Sequence, residues 1–132
     1  MGRNAARSSA WQALHLNLTF KIRYHSDELE VVGFILKPKD EDQKFPVMIY
    51  NRGGNREFGK IDVSTLEYLF YLSSNGYVVL ASQYRGNDGG QGKEEFGGCE
   101  INDVLNLIPL AESISFMNAD RIVMLGFSRG GH

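Results

Sequence analysis

From Leu14 to Ile22 the apolar residues Leu14, Leu16, Leu18, Phe20 and Ile22 alternate strictly with His15, Asn17, Thr19 and Lys21. A period of two puts every second side chain on one side of an extended backbone, so the stretch reads as a half-buried strand. Ser26-Asp27 supplies a turn and Leu29 to Leu36 a second strand, which predicts an antiparallel hairpin at a sheet edge. The charged run 37–44 ends it. Beyond it the pattern changes to short unbroken apolar runs: Val47-Met48-Ile49-Tyr50, Tyr77-Val78-Val79-Leu80-Ala81 and Ile122-Val123-Met124-Leu125. Runs of that length without polar alternation predict strands covered on both faces, as in a parallel sheet.

Helical spacing fills the gaps between these runs. Ser64 and Glu67 form a capping box at a helix start, Val63, Leu66 and Phe70 fall on one helical stripe, and Asn75-Gly76 closes the helix with a left-handed cap. A second helix is expected from about residue 100 to 113, with Ile101, Val104, Leu105 and Ile108 as its core face and Pro109 kinking or shortening it. Asn118-Ala119-Asp120 reads as a turn before the last strand. Alternating strands and helices predict an α/β fold: a doubly wound, mostly parallel sheet with the antiparallel N-terminal hairpin at one edge. Residues 1–13 read as a poorly ordered leader without the apolar stretch of a secretory signal, and residues 14–132 as a single structural unit.

The last apolar run leads directly into Gly126-Phe127-Ser128-Arg129-Gly130, a G-x-S-x-G nucleophile elbow. The motif needs a strand that turns sharply into a helix, with small residues two positions either side of the serine so that its hydroxyl stands clear of the sheet. Five residues in a glycine-rich chain are weak evidence alone; the strand pattern before them is what gives them weight. In open α/β sheets ligands collect beyond the carboxyl ends of the strands. Three loops are expected there: Asn51 to Asn55, Gln83 to Gly92, and the elbow. Gly89-Gly90-Gln91-Gly92-Lys93 has the glycines of a phosphate cradle, but Glu94 follows Lys93 where such a loop needs Ser or Thr, so a cleft-lining loop is the expectation.

Composition narrows the field further. With 132 residues, 42% hydrophobic and 23% charged, and a net charge of −2, the chain has the material for one modest core and no basic stripe, which argues against nucleic acid and anionic membranes as partners. Cys99 is the only cysteine, so no internal disulfide forms, and a reducing, cytoplasmic compartment is expected. With no histidine near it in sequence, Cys99 reads as an inert thiol.

Asn51-Arg52-Gly53-Gly54, Tyr84-Arg85-Gly86 with its glycine tail, Glu100 to Val104, Asn118-Ala119-Asp120-Arg121-Ile122 and the elbow, in this order and spacing, resemble the catalytic domain of the prolyl oligopeptidase family of α/β-hydrolases. The resemblance covers residues 15–132. It implies a serine peptidase or esterase with Ser128 as nucleophile, Arg129 N–H as one oxyanion donor, and a second donor from the backbone at Arg52 or Gly53, where some relatives carry a tyrosine at the position of Arg52. Asn51, Gly54, Tyr84 and Arg85 would belong to the loops bordering the substrate cleft. The family's catalytic domain is about twice this length and takes its triad acid and histidine from strands after the serine. The expectation is therefore an N-terminal half-domain ending just after the elbow and inactive alone, acting on a peptide or ester in the full-length protein without cofactor or metal. His15, His25 and His132 are expected as surface or packing residues, and Asp88 and Asp103 as caps or surface pairs. The alternatives are an esterase or acyltransferase of the same superfamily, and a non-catalytic module that self-associates through an exposed sheet edge.

Overall fold

The computed structural model describes residues 17–39, 43–53, 60–93, 98–99 and 101–126. In chain order these form β1 (Asn17–Ser26), β2 (Leu29–Pro38), β3 (Phe45–Asn51), α1 (Val63–Ser74), β4 (Val78–Ser82), α2 (Ile101–Leu105), α3 (Leu107–Ser113) and β5 (Met117–Gly126). The strands build one sheet in the order β1-β2-β4-β3-β5. Strand β2 runs antiparallel to both β1 and β4, while β3 pairs in parallel with β4 and with β5. Four of the five strands therefore share one direction, and the predicted hairpin sits at the β1 edge. Its turn residues Asp27 and Glu28 both have positive φ, 51° and 66°, the primed turn that suits the twist of a two-stranded ribbon.

The apolar run of β4 is buried throughout and that of β3 at alternate positions, whereas the run of β5, expected to be covered on both faces, leaves Val123 and Met124 about half exposed. All five residues of β4 are buried, and alternate side chains feed two separate cores. On one face Val31, Ile35, Val47, Ile49, Val78 and Leu80 pack with Leu107 and Ala111 of α3. On the other, Phe34, Leu36, Val79 and Ala81 pack with Ile61 and with Leu69 of α1. Helices thus cover both faces of the sheet, as in a doubly wound fold.

Several details depart from the sequence reading. Helix α1 is capped by Asp62, whose carboxylate accepts from Thr65 N–H at 2.9 Å, and not by Ser64. Its buried residues are Leu69 and Ser73, and Val63 is exposed. Gly76 has φ +94°, confirming the left-handed closure. The second helix breaks at Asn106 into α2 and α3. Pro109 accounts for the break, because it has no N–H to donate to the carbonyl four residues back and its ring crowds that carbonyl. Ile101 and Leu105, expected in the core, are about half exposed, at 54% and 50%, and the residue α2 buries instead is Asp103. The Asn118 turn exists, with Asn118 Oδ1 accepting from Asp120 N–H at 3.1 Å, but it lies inside β5. Between the Pro46↔Asn118 and Val47↔Ile122 pairs the register slips, so residues 119–121 bulge out opposite a proline that has no N–H for the ladder.

Candidate active site

The carboxyl ends of β3 and β5 lie side by side, with Asn51 the register partner of Gly126. The loop that begins Arg52-Gly53 and the sequence that begins the elbow therefore leave the sheet at neighbouring points of one edge. Ser128, Arg129 and Gly54 lie outside the described residues, so the site is built here from Asn51, Arg52, Gly53, Tyr84 and Arg85.

Arg52 is fully buried. Its Nε donates to the carbonyl of Gln83 at 3.2 Å, its Nη1 to the carbonyl of Gly53 at 2.9 Å, and its guanidinium lies 5.1 Å from the centre of the Tyr84 ring. Gln83 is buried too, and its amide is forked onto one residue of the opposite segment: Oε1 accepts from Ile61 N–H at 2.9 Å and Nε2 donates to the Ile61 carbonyl at 2.8 Å. The segment after β3 is thus tied to the loop after β4 by polar contacts sealed from water, where each is worth most and is most costly to leave unmade.

Tyr84, directly beyond β4, has φ +70°. A bulky residue in the left-handed region is a real outlier, costing on the order of 1–3 kcal/mol, and persists only where its surroundings over-determine it. They do so here: Tyr84 N–H donates to Ser82 Oγ at 3.0 Å and its hydroxyl to the carbonyl of Arg52 at 2.9 Å. Tyr84 and Arg85, expected to border a substrate cleft, are both buried, so their side chains turn into the protein.

Beneath them lies a polar network that the sequence reading missed. Asp103 is fully buried and receives Arg85 N–H at 2.7 Å, Arg85 Nη2 at 2.9 Å and the Ser26 hydroxyl at 2.7 Å. Arg85 Nη2 also reaches Asp27 at 2.8 Å, and Asn102 and Asn106 donate to Asp27 and Ser26. Asp103 foremost, and Asp27 with it, hold the Arg85 guanidinium above its ordinary value. Arg85, then Asn102, holds the Asp27 carboxyl below its own. The Tyr24 hydroxyl donates to the Asp103 carbonyl at 2.6 Å and accepts from the Ser82 hydroxyl at 2.7 Å, and burial keeps its phenol well above the usual range. The expectation of Asp103 as a surface pair is corrected by this burial. The signal was in the spacing: Asp103, Leu107 and Ala111 recur every four residues on one buried stripe. Asp88, by contrast, is a partly exposed pair partner, 3.0 Å from Lys21 and 3.9 Å from Lys60.

Within the described residues 86–93, several N–H groups of the glycine loop are taken up by the protein itself. The N–H groups of Gly90 and Gln91 donate to the carbonyls of Asn87 and Glu30, and Gly86 N–H to that of Gln91, so the loop is stitched to itself and to β2. Gly86 has φ +79°, and a Cβ there would sit 2.7 Å from the Gly92 carbonyl. Among the described residues no cluster of His, Cys, Asp and Glu is arranged to hold a metal, and no helix is long and apolar enough to cross a membrane. His25 is exposed on β1, at the sheet edge opposite β5. Cys99 is exposed.

In sequence and in fold the chain is similar to known proteins. Over 117 residues the chain is 35% identical to the uncharacterized peptidase YtmA of Bacillus subtilis (strain 168), a match covering 89% of this chain and 44% of YtmA. An acylaminoacyl peptidase of Pyrococcus horikoshii superposes with a TM-score of 0.72 at 22% identity, over 97% of this chain and 22% of that one. An acetyl xylan esterase from Paenibacillus sp. R4 does so at 0.68 and 22% identity, over 89% of this chain and 43% of the esterase. No protein-family model matches the chain. The chain spans less than half the length of the curated relative it matches.

Proposed function

The chain is an α/β-hydrolase by fold, and from that premise we propose that the full-length protein is a serine hydrolase of the prolyl oligopeptidase type, cleaving a peptide or ester through Ser128. Ser128 Oγ attacks the acyl carbon while a histidine takes its proton. The tetrahedral oxyanion is held by Arg129 N–H and by a backbone N–H of the loop at Arg52-Gly53. The leaving group departs with the proton from the histidine, and water then releases the acyl group by the same route. The observation that carries the reading is the register of Asn51 with Gly126, which brings the oxyanion loop and the elbow sequence to one edge.

His25 is not that histidine. Strand β1 is four places from β5, about 19 Å at the usual strand spacing of about 4.8 Å, far beyond hydrogen-bond reach. Following the resemblance, the acid and the base come later in the full-length protein than Ser128. Residues 1–132 alone are then inactive, because an unassisted serine hydroxyl is a weak nucleophile near neutral pH. Turnover of a short-chain aryl ester tests the reading: full-length protein hydrolyses it and Ser128→Ala does not. Equal turnover by the variant would refute Ser128 as nucleophile.

A second reading has its own observation. Strand β5 pairs only with β3 among the described residues, and Val123 and Met124 on it are about half exposed, at 47% and 49%. Residues 1–132 by themselves therefore associate with a second copy through that edge.

A further inference from the structure

Tyr84 carries backbone strain, yet its buried side chain is out of a substrate's reach, so the strain calls for a purpose other than contact. Its hydroxyl donates to the carbonyl of Arg52 at 2.9 Å. In a trans peptide the carbonyl oxygen and the following N–H point to opposite sides of one rigid plane. Fixing Arg52 O therefore fixes the direction of Gly53 N–H, away from the Tyr84 ring. The next carbonyl, that of Gly53, is held by Arg52 Nη1 at 2.9 Å, so the peptide planes on both sides of Gly53 are set through their oxygens. Among the described residues nothing accepts from Gly53 N–H. A backbone donor held in direction but without an acceptor among the described residues, at the carboxyl end of β3 whose last residue is the register partner of Gly126, has the geometry that oxyanion stabilisation needs.

We propose that Tyr84 is a positioning residue for the oxyanion hole, its hydroxyl locking the Arg52-Gly53 peptide so that Gly53 N–H is aimed before substrate arrives. The inference rests on the serine-hydrolase reading. Tyr84 is itself locked from three directions. Ser82 Oγ holds its N–H, the Arg52 guanidinium covers its ring, and the next residue, Arg85, is clamped through both backbone and side chain to buried Asp103. The left-handed backbone of Tyr84 is what lets the chain send one side chain toward Arg52 and the following one toward Asp103. Preorganisation of this kind matters because a donor that must reorient during the reaction loses much of its value.

Tyr84→Phe in the full-length protein isolates the claim, since it keeps the ring and its contact with Arg52 and removes only the hydroxyl. Kinetics are read per active site, counted by titration with a fluorophosphonate. Wild type should turn over an aryl ester. The variant should lose about tenfold or more in kcat with KM within about twofold, and its affinity for an arylboronic acid, which mimics the tetrahedral intermediate, should fall by a similar factor. A loss confined to the number of titratable sites, a loss in KM alone, or an unchanged kcat with unchanged boronate affinity would each overturn the proposal while leaving the serine-hydrolase reading intact. A wild-type protein that neither turns over the ester nor titrates would remove both.

Discussion

Asp103 keeps its carboxylate away from water because the Ser26 hydroxyl and both the backbone and the guanidinium of Arg85 converge on it. Removing one partner of a buried pair leaves the other uncompensated, so Asp103→Ala should cost about 3–5 kcal/mol in denaturant unfolding. An apolar replacement of both Asp103 and Arg85 should recover part of that loss. A change below 1 kcal/mol for the single variant would mean that the network is far wetter than its burial implies. The opposite case is Ser73, whose hydroxyl is buried in α1 with no partner among the described residues. Ser73→Ala removes an unsatisfied group and improves helix propensity, and should stabilise the protein by about 1 kcal/mol. Two ion pairs make the stability depend on acid pH. Asp27, held low by Arg85, and Asp88, held low by Lys21, both have depressed folded-state values. Their contribution is therefore complete above the ordinary carboxylate value of about 4 and is lost as pH falls below it. Unfolding midpoints should be flat from about pH 7 to 5 and drop below about pH 4, and Asp27→Asn should shallow that drop. Pairing of this kind was not readable from the chain, because Arg85 and Asp103 are 18 residues apart and only the fold brings Ser26 to them.

Elements were more legible than their edges. The unbroken apolar runs of β3 and β4 mark strands at the centre of the sheet, since burial on two faces leaves no place for a polar alternate, whereas the equally apolar run of β5 is left half exposed at Val123 and Met124. Helix boundaries depended on competition between equivalent caps. Asp62 precedes Ser64 by two residues, and its carboxylate takes both Thr65 N–H and the Thr65 hydroxyl. Asp62→Ala should therefore destabilise by about 1 kcal/mol and Ser64→Ala by a few tenths at most, as measured by thermal unfolding. The reverse ranking would restore the cap expected from the sequence. The apolar stripe of α2 misled for a different reason: with Asp103 taken inward by Arg85, the helix turns and leaves Ile101 and Leu105 half exposed.

At the scale of the molecule, the order β1-β2-β4-β3-β5 puts the edge hairpin far from β5 and the loop that begins Arg52-Gly53 next to it. That adjacency was inferable from strand order in the resembled family and not from any local pattern. Residues 1–132 expressed alone should scatter light as dimers or larger species, and Val123→Lys should shift them toward monomer. A wild-type monomer would show that the β5 edge is protected. The central claim, that Ser128 is the nucleophile of a serine hydrolase, is tested most directly by treating the full-length protein with a fluorophosphonate and mapping the adduct by peptide mass spectrometry. The account predicts one adduct per chain, on Ser128, absent from Ser128→Ala. An adduct on another residue, or none on a folded protein, would contradict it.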